Sequence, residues 1–122
     1  MKWQRYNALI TFFPLEEGGR AAPPQPPFSI DRSYRPDIVV DGESIYLGVR
    51  FVGGSKTTPG EPGRFSFVAT YPDLDYSTLH CGVKFTIREG SKIVGTGVIL
   101  ERIVNVRDNR QSNDEDYSQD GG

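Results

Sequence analysis

The sequence has little of several residue types on which common functions depend. It contains one cysteine and one histidine, which excludes an internal disulfide and leaves too few ligands for an ordinary zinc site. No apolar run reaches the length of about 18 residues that a membrane helix needs, and Met1 to Arg5 lack the apolar stretch of a signal peptide. The formal net charge is only −2, so no strong basic field is present to bind nucleic acid by charge alone. These absences predict a protein of the cytoplasm that uses no metal, no cofactor and no membrane.

Glycine and proline, by contrast, are abundant. The 122 residues include 14 glycines and 9 prolines, a density that leaves no room for long helices. A charged fraction of 25% and a hydrophobic fraction of 36% suffice for one modest core. The composition therefore predicts a single all-β domain of short strands joined by many turns.

The acidity of the chain is concentrated at its C-terminal end. Residues 105–122 carry five acids and two bases, with little apolar bulk, and this composition is typical of a disordered acidic tail. Residues 1–104 carry 12 bases and 11 acids and form the predicted folded domain. We expect truncation after Val104 to leave that domain folded.

Apolar residues alternate with polar ones in six segments, and this period of two predicts strands. The segments are 6–13, 37–40, 45–51, 65–71, 83–88 and 92–104. Gly90 and Ser91 fit a two-residue hairpin turn with glycine first. The proline-rich loop 21–30 is interpreted as a stiff connector, the alternative being a ligand for a proline-binding module.

Six short strands fit a small closed barrel, which leaves no strand edge exposed. The first and last strands have apolar residues on both faces. Either part of the outside of the barrel is an apolar patch for a protein partner, or the proline-rich loop or a terminus covers it.

Four ordered motifs resemble the third domain of elongation factor Tu. Residues 85–99 (FTIREGSKIVGTGVI) are similar to that family's closing hairpin, of the type FAIREGGRTVGAGVV. Residues 16–20 (EEGGR) resemble its E-G-G-R segment after the first strand, 33–36 (SYRP) its G-Y-R-P, and 58–61 (TPGE) its M-P-G-D. The resemblance covers roughly residues 6–104 and implies a six-stranded closed antiparallel β-barrel.

The same resemblance implies what such a domain does. In the complete factor it packs against the other domains, and one side contacts the T stem of tRNA. Four residues match positions near that RNA contact, namely Arg20, Arg88, Glu89 and Gly90. The alternative for Arg88 and Glu89 is a pair across the hairpin that steadies the turn. Two positions differ from the family pattern, because Asp37 and, approximately, Asp75 place carboxylates where a phosphate backbone would lie.

No enzyme is predicted. The family's GTP chemistry resides in another domain, and this sequence has no phosphate-binding loop, so we expect no nucleotide to bind. A nucleophilic Cys81 would need a base, but the only histidine, His80, is its neighbour and would point to the other face of a strand.

The predicted function is a stand-alone, non-catalytic barrel that binds protein. The partner is either a translation component or a protein that recognises elongation factor Tu, as for an antitoxin or immunity protein acting as a mimic. The predicted partner-binding residues are Arg20, Tyr34, Arg35, Arg88, Glu89, Gly90 and Ser91. The alternative, disfavoured by the carboxylates and the near-neutral domain, is an RNA-binding module that retains the tRNA contact.

Overall fold

The computed structural model describes residues 2–29 and 33–106, and within them the side chains of residues 4–29 and 33–104. It contains six strands, β1 (Lys2–Phe12), β2 (Asp37–Val40), β3 (Leu47–Gly54), β4 (Pro62–Ala69), β5 (Lys84–Glu89) and β6 (Lys92–Val106). In these ranges the one helical element is a 3-10 turn, Leu15–Glu17. The predicted all-β class is confirmed, and no helix of the described chain is long and apolar enough to cross a membrane.

The six strands close into an antiparallel barrel in the order β1-β4-β3-β2-β5-β6, and β6 pairs back onto β1. The predicted closed six-stranded antiparallel barrel is therefore confirmed. Because every pair is antiparallel, the connections that follow β1, β3 and β5 lie at one end of the barrel, which we call the hairpin end. The connections that follow β2 and β4 lie at the other, the terminal end, together with the start of β1 and the finish of β6.

Alternation places one face of each strand inside the barrel, as the sequence predicts. In β1 the inward residues Tyr6, Ala8, Ile10 and Phe12 are at most 1% exposed. Aromatic rings fill the centre, and the rings of Phe51 and Phe67 stack 5.8 Å apart. Burial of these large side chains supplies the main driving force for closure.

Strand β6 departs from the predicted faces. Ile93 and Ile99 were expected to share a face, yet Ile93 is exposed and Ile99 is buried. The register shift between Ile87 and Arg88 of β5 explains the difference, because it leaves Val94 of β6 unpaired between Ile93 and Ile99. A second shift, between Asn7 and Ala8 of β1, lies beyond Ile99. Each bulge inserts one extra β6 residue and exchanges the inward and outward faces of the strand. The apolar residues on both predicted faces of β6 are thus explained in part by bulges, after which the inward positions of the strand shift by one residue.

Several strand ends also differ from the prediction. Ile45 and Tyr71 were expected in strands but lie in loops, and both are exposed. Gly53 and Gly54 were expected in a loop and instead end β3. Strand β6 continues two residues beyond the predicted boundary at Val104, since Val106 pairs with Lys2. Residues 107–122 of the predicted disordered tail lie outside the described residues.

A loop closes each end of the barrel. At the hairpin end, Phe28 of the proline-rich loop packs against Phe51 and Phe65, with ring centroids 5.8 and 6.3 Å away. At the terminal end, the β4–β5 loop (residues 70–83) inserts Tyr76 and Leu79, which are 5% and 0% exposed. Both loops are thereby parts of the core, and they position the surface residues described next.

Candidate partner-binding surface

Three of the seven predicted partner-binding residues meet at the hairpin end. A guanidinium nitrogen of Arg20 lies 3.3 Å from a carboxylate oxygen of Glu89, and the Tyr34 hydroxyl donates a 2.6 Å hydrogen bond to that same oxygen. The Arg20 guanidinium also lies 5.2 Å from the centroid of the Tyr34 ring, within the range of a cation–π contact. We call this group the Arg20–Tyr34–Glu89 cluster. It links the β1–β2 connection to the β5–β6 hairpin and leaves no net charge.

The turn that follows β1 delivers Arg20 to this position. After the 3-10 turn, Gly18 adopts a left-handed conformation with φ of 93°, which favours glycine. The next amide, that of Gly19, donates to the carbonyl of Pro14, and the Gly19 carbonyl accepts from the Lys92 ammonium at 3.3 Å. The EGGR segment therefore folds back onto the start of β6, beside Glu89.

Tyr34 connects this cluster to the core. Its ring packs against Phe51 and Phe12, with centroids 5.1 and 6.1 Å away, while its hydroxyl reaches the surface. Burial raises the pKa of the Tyr34 hydroxyl strongly, and the hydrogen bond to the Glu89 carboxylate raises it further. The neutral hydroxyl is therefore held as a donor to Glu89.

The hairpin turn projects beyond the cluster. Gly90 has a φ of 64°, consistent with the glycine-first turn expected there, and Gly90 and Ser91 are both exposed. Glu89 pairs with Lys92 across the hairpin. Arg35, the residue after Tyr34, is also exposed. The cluster, the turn and Arg35 form what we call the hairpin-end surface.

Arg88 does not belong to this surface. Its guanidinium donates to the Tyr46 hydroxyl at 3.3 Å and lies 5.5 Å from the centroid of the Tyr46 ring, while its Nε donates to Thr86 at 3.1 Å. Glu89 binds Arg20 and Tyr34 instead. The alternative that Arg88 and Glu89 form a pair across the hairpin is therefore wrong.

The proline-rich loop is fixed to the barrel beside the cluster. The Gln25 side chain forms two hydrogen bonds with the backbone of Thr57, of 2.8 and 2.9 Å, and the buried Thr57 hydroxyl donates to the Pro24 carbonyl. A shallow groove of about 430 Å³ runs between this loop and Arg20 and Tyr34. Within the described range 21–29, the loop is a packed connector.

Two exposed tyrosines are functional candidates that the sequence interpretation missed. Tyr46 stacks with Arg88, and Tyr71 lies over Gly48, where a Cβ would overlap its ring. Both tyrosines had been assigned to strands. A glycine at an outward position of a strand often marks the close approach of another group. Gly48 could therefore have indicated from the sequence that another side chain packs against β3.

The described residues contain no cluster suited to a metal ion. Across 2–29 and 33–106, no three histidine, cysteine, aspartate or glutamate side chains meet in a way that could hold one. His80 and Cys81 lie in a turn rather than in the expected strand, so strand alternation does not separate them, and both are exposed.

No protein-family model matches the chain. A closed six-stranded antiparallel barrel is what the resemblance to the third domain of elongation factor Tu implies. Membership of that family stays a prediction.

Proposed function

We propose that this barrel is a non-catalytic module that binds a protein partner through the hairpin-end surface. The observation that carries the proposal is that two arginines of the barrel already bind other side chains. Arg20 is ion-paired with Glu89, and Arg88 is stacked on Tyr46. Of the three arginines considered for phosphate contact or partner binding, Arg35 is exposed, whereas Arg20 and Arg88 are half-buried.

This arrangement favours protein over RNA. Affinity for a phosphate backbone rises with the number of cations that displace counterions, and a neutralised cluster contributes little. Protein interfaces, by contrast, are enriched in tyrosine and arginine, and a side chain already held in position loses less entropy on binding. The Arg20–Tyr34–Glu89 cluster provides such a preorganised, charge-balanced patch.

The partner we propose is a translation component or a protein that recognises elongation factor Tu. The four sequence motifs support this choice, and an antitoxin or immunity protein that mimics the factor is one form of it. The cytoplasm is the compartment in which such partners occur.

Affinity capture tests the proposal. The full chain is immobilised, and proteins retained from a lysate of the source cells are identified by mass spectrometry. We expect a partner whose retention falls at least about tenfold in the Arg35→Glu variant, since reversing a charge in an interface is costly. Lys84→Glu, a charge reversal at the start of β5 away from the hairpin-end surface, is the matched control. Equal retention by wild type and Arg35→Glu would contradict the assignment of the surface.

Titration with tRNA tests the alternative. By fluorescence anisotropy at physiological salt, we expect tRNA affinity weaker than about 100 μM, since a few charge-assisted contacts do not sustain tighter binding. Micromolar binding that Arg88→Ala abolishes would favour the RNA-binding module instead.

A further inference from the structure

A second surface lies at the terminal end of the barrel, opposite the hairpin-end surface. It is an open cleft of about 710 Å³. One wall is the first half of the β4–β5 loop. The other wall consists of the first residues of β1 and the last residues of β6, and the outer faces of β3 and β4 lie beside them. We call it the terminal cleft.

Two arginines, Arg50 and Arg102, line the terminal cleft. Within the described part of the chain, neither Arg50 nor Arg102 forms a hydrogen bond or ion pair through its guanidinium. The cleft also contains the carboxylate of Asp75, which accepts a 2.9 Å hydrogen bond from the Ser77 amide. Hydrogen bonding to the Ser77 side chain, and then to this amide, lowers the pKa of Asp75. Two guanidinium groups thus face one carboxylate that is already engaged. The guanidinium groups of Arg50 and Arg102 can therefore donate hydrogen bonds to an anionic ligand.

Apolar side chains are exposed along the same cleft. Tyr71, Leu74 and Val104 are 54%, 37% and 43% exposed. Isolated exposed apolar residues are common, but three along one concave surface are typical of a binding site. The ligand must therefore offer apolar groups as well as negative charge.

Tyr71 is held in place before any ligand arrives. Its backbone amide donates to the Tyr76 hydroxyl at 3.2 Å, and that buried hydroxyl donates to the Gly48 carbonyl at 2.6 Å. The Tyr71 ring lies where a Cβ on residue 48 would be, with one ring carbon 2.7 Å from that position. A large aromatic side chain fixed in this way can bind with little further loss of entropy.

We propose that the terminal cleft binds an acidic segment of a partner protein, with a large apolar side chain next to its carboxylates. The proposal rests on the proposed protein-binding function and adds the chemistry of the partner to it. Arg50 and Arg102 bind the carboxylates, for which the planar guanidinium is well suited. Tyr71, Leu74 and Val104 receive the apolar side chain. A nucleic acid fits less well, because the carboxylate of Asp75 lies in the cleft and would repel a phosphate backbone.

Peptide selection on the full chain tests the terminal cleft. A phage-displayed random peptide library is selected on the immobilised protein, and enriched peptides are synthesised and titrated by fluorescence anisotropy. We expect the enriched sequences to combine Asp or Glu with Leu, Ile or Phe. Their affinity should fall with added salt, since the contacts are charged. The double variant Arg50→Glu/Arg102→Glu should bind at least about tenfold more weakly.

Matched variants separate the cleft from general charge and folding effects. Arg64→Glu reverses an exposed arginine of β4 that does not line the cleft, and it should bind as wild type does. Gly48→Ala should weaken binding by displacing Tyr71 while the charges stay in place. Thermal unfolding of each variant identifies any that fails to fold.

Three results would overturn the proposal. They are a selection without enrichment, enriched peptides without acidic residues, and equal losses in Arg64→Glu and the double variant. An RNA oligonucleotide that displaces the peptide, with its own binding lost in the double variant, would assign the cleft to nucleic acid instead. These results are independent of lysate capture with Arg35→Glu, so failure at one end of the barrel does not imply failure at the other.

Discussion

The Tyr34 hydroxyl donates a 2.6 Å hydrogen bond to the Glu89 carboxylate, across 55 positions of sequence. This contact joins the connection between β1 and β2 to the last hairpin of the barrel. It is also the point at which the aromatic core reaches the charged surface.

We expect Tyr34→Phe to lower the free energy of unfolding by about 1–2 kcal/mol, since a half-buried carboxylate loses a neutral donor while the ring keeps its packing. Glu89→Gln should cost a similar amount by removing the ion pair with Arg20. The two changes share one oxygen, so the double variant should cost clearly less than the sum, as urea unfolding would measure. Strict additivity would show that the Tyr34–Glu89 contact contributes nothing to stability.

Gly97→Ala should be far more destabilising than Gly53→Ala. A Cβ at Gly97 would overlap the Phe85 ring and lie 3.0 Å from an Ile10 side-chain carbon, and both neighbours are buried. Overpacking of this kind typically costs about 1–3 kcal/mol. At Gly53 the nearest atom is 3.9 Å away, so the control variant should unfold at nearly the wild-type temperature. Equal melting temperatures would contradict the close approach of β6 to the core at Gly97.

Stability should fall as the pH rises above about 10. Burial raises the pKa of Tyr6 to about 12, against 10 in the unfolded chain, and burial also raises that of Tyr76. Between these values the unfolded chain loses protons that the folded chain retains, so the free energy of unfolding falls with pH. The full contribution is present below pH 10, and the slope is about 1.4 kcal/mol per pH unit for one such tyrosine.

Urea unfolding at pH 8 and at pH 11 checks this expectation. Tyr6→Phe should reduce the dependence on pH, because phenylalanine has no proton to lose, while the raised pKa values of Tyr34 and Tyr76 leave a part of it in place. A free energy of unfolding that stays constant between the two pH values would exclude a buried, neutral Tyr6.

A chain ending at Val106 should unfold at the wild-type temperature, since residues 107–122 carry five acids and almost no core-forming side chain. A chain ending at Ile99 should fail to fold, because it loses the β6 residues that pair with Lys2 to Asn7. Circular dichroism during heating distinguishes the two. A large loss of stability in the longer chain would show that the acidic segment packs on the barrel.

The sequence predicted the strands because alternation is a local property. The alternation of β1, which groups Tyr6, Ala8, Ile10 and Phe12 on one face, and the Gly90–Ser91 turn followed directly from residue order. The faces of β6 did not, because a bulge shifts the phase of a strand without leaving a pattern that a single sequence reveals. Ile93 was misassigned for this reason.

The surface was predicted only in part, because its contacts join distant segments. Arg20, Tyr34 and Glu89 were named together on the basis of motifs, and the structure brings them together. Local patterns do not specify the paths of loops, and two contacts depend on those paths. They are the contact of Arg88 with Tyr46 and that of Tyr71 with Gly48.

The position of β1 between β4 and β6 has a consequence for synthesis of the protein. Within the barrel, β1 is synthesised first and pairs with no strand adjacent to it in sequence, whereas its partner β6 is the last of the six strands to be synthesised. Contacts of such long separation slow folding, because the loop must close before they form. The barrel therefore cannot close during translation until β6 has emerged. Until then, the apolar face of β1 is available to chaperones.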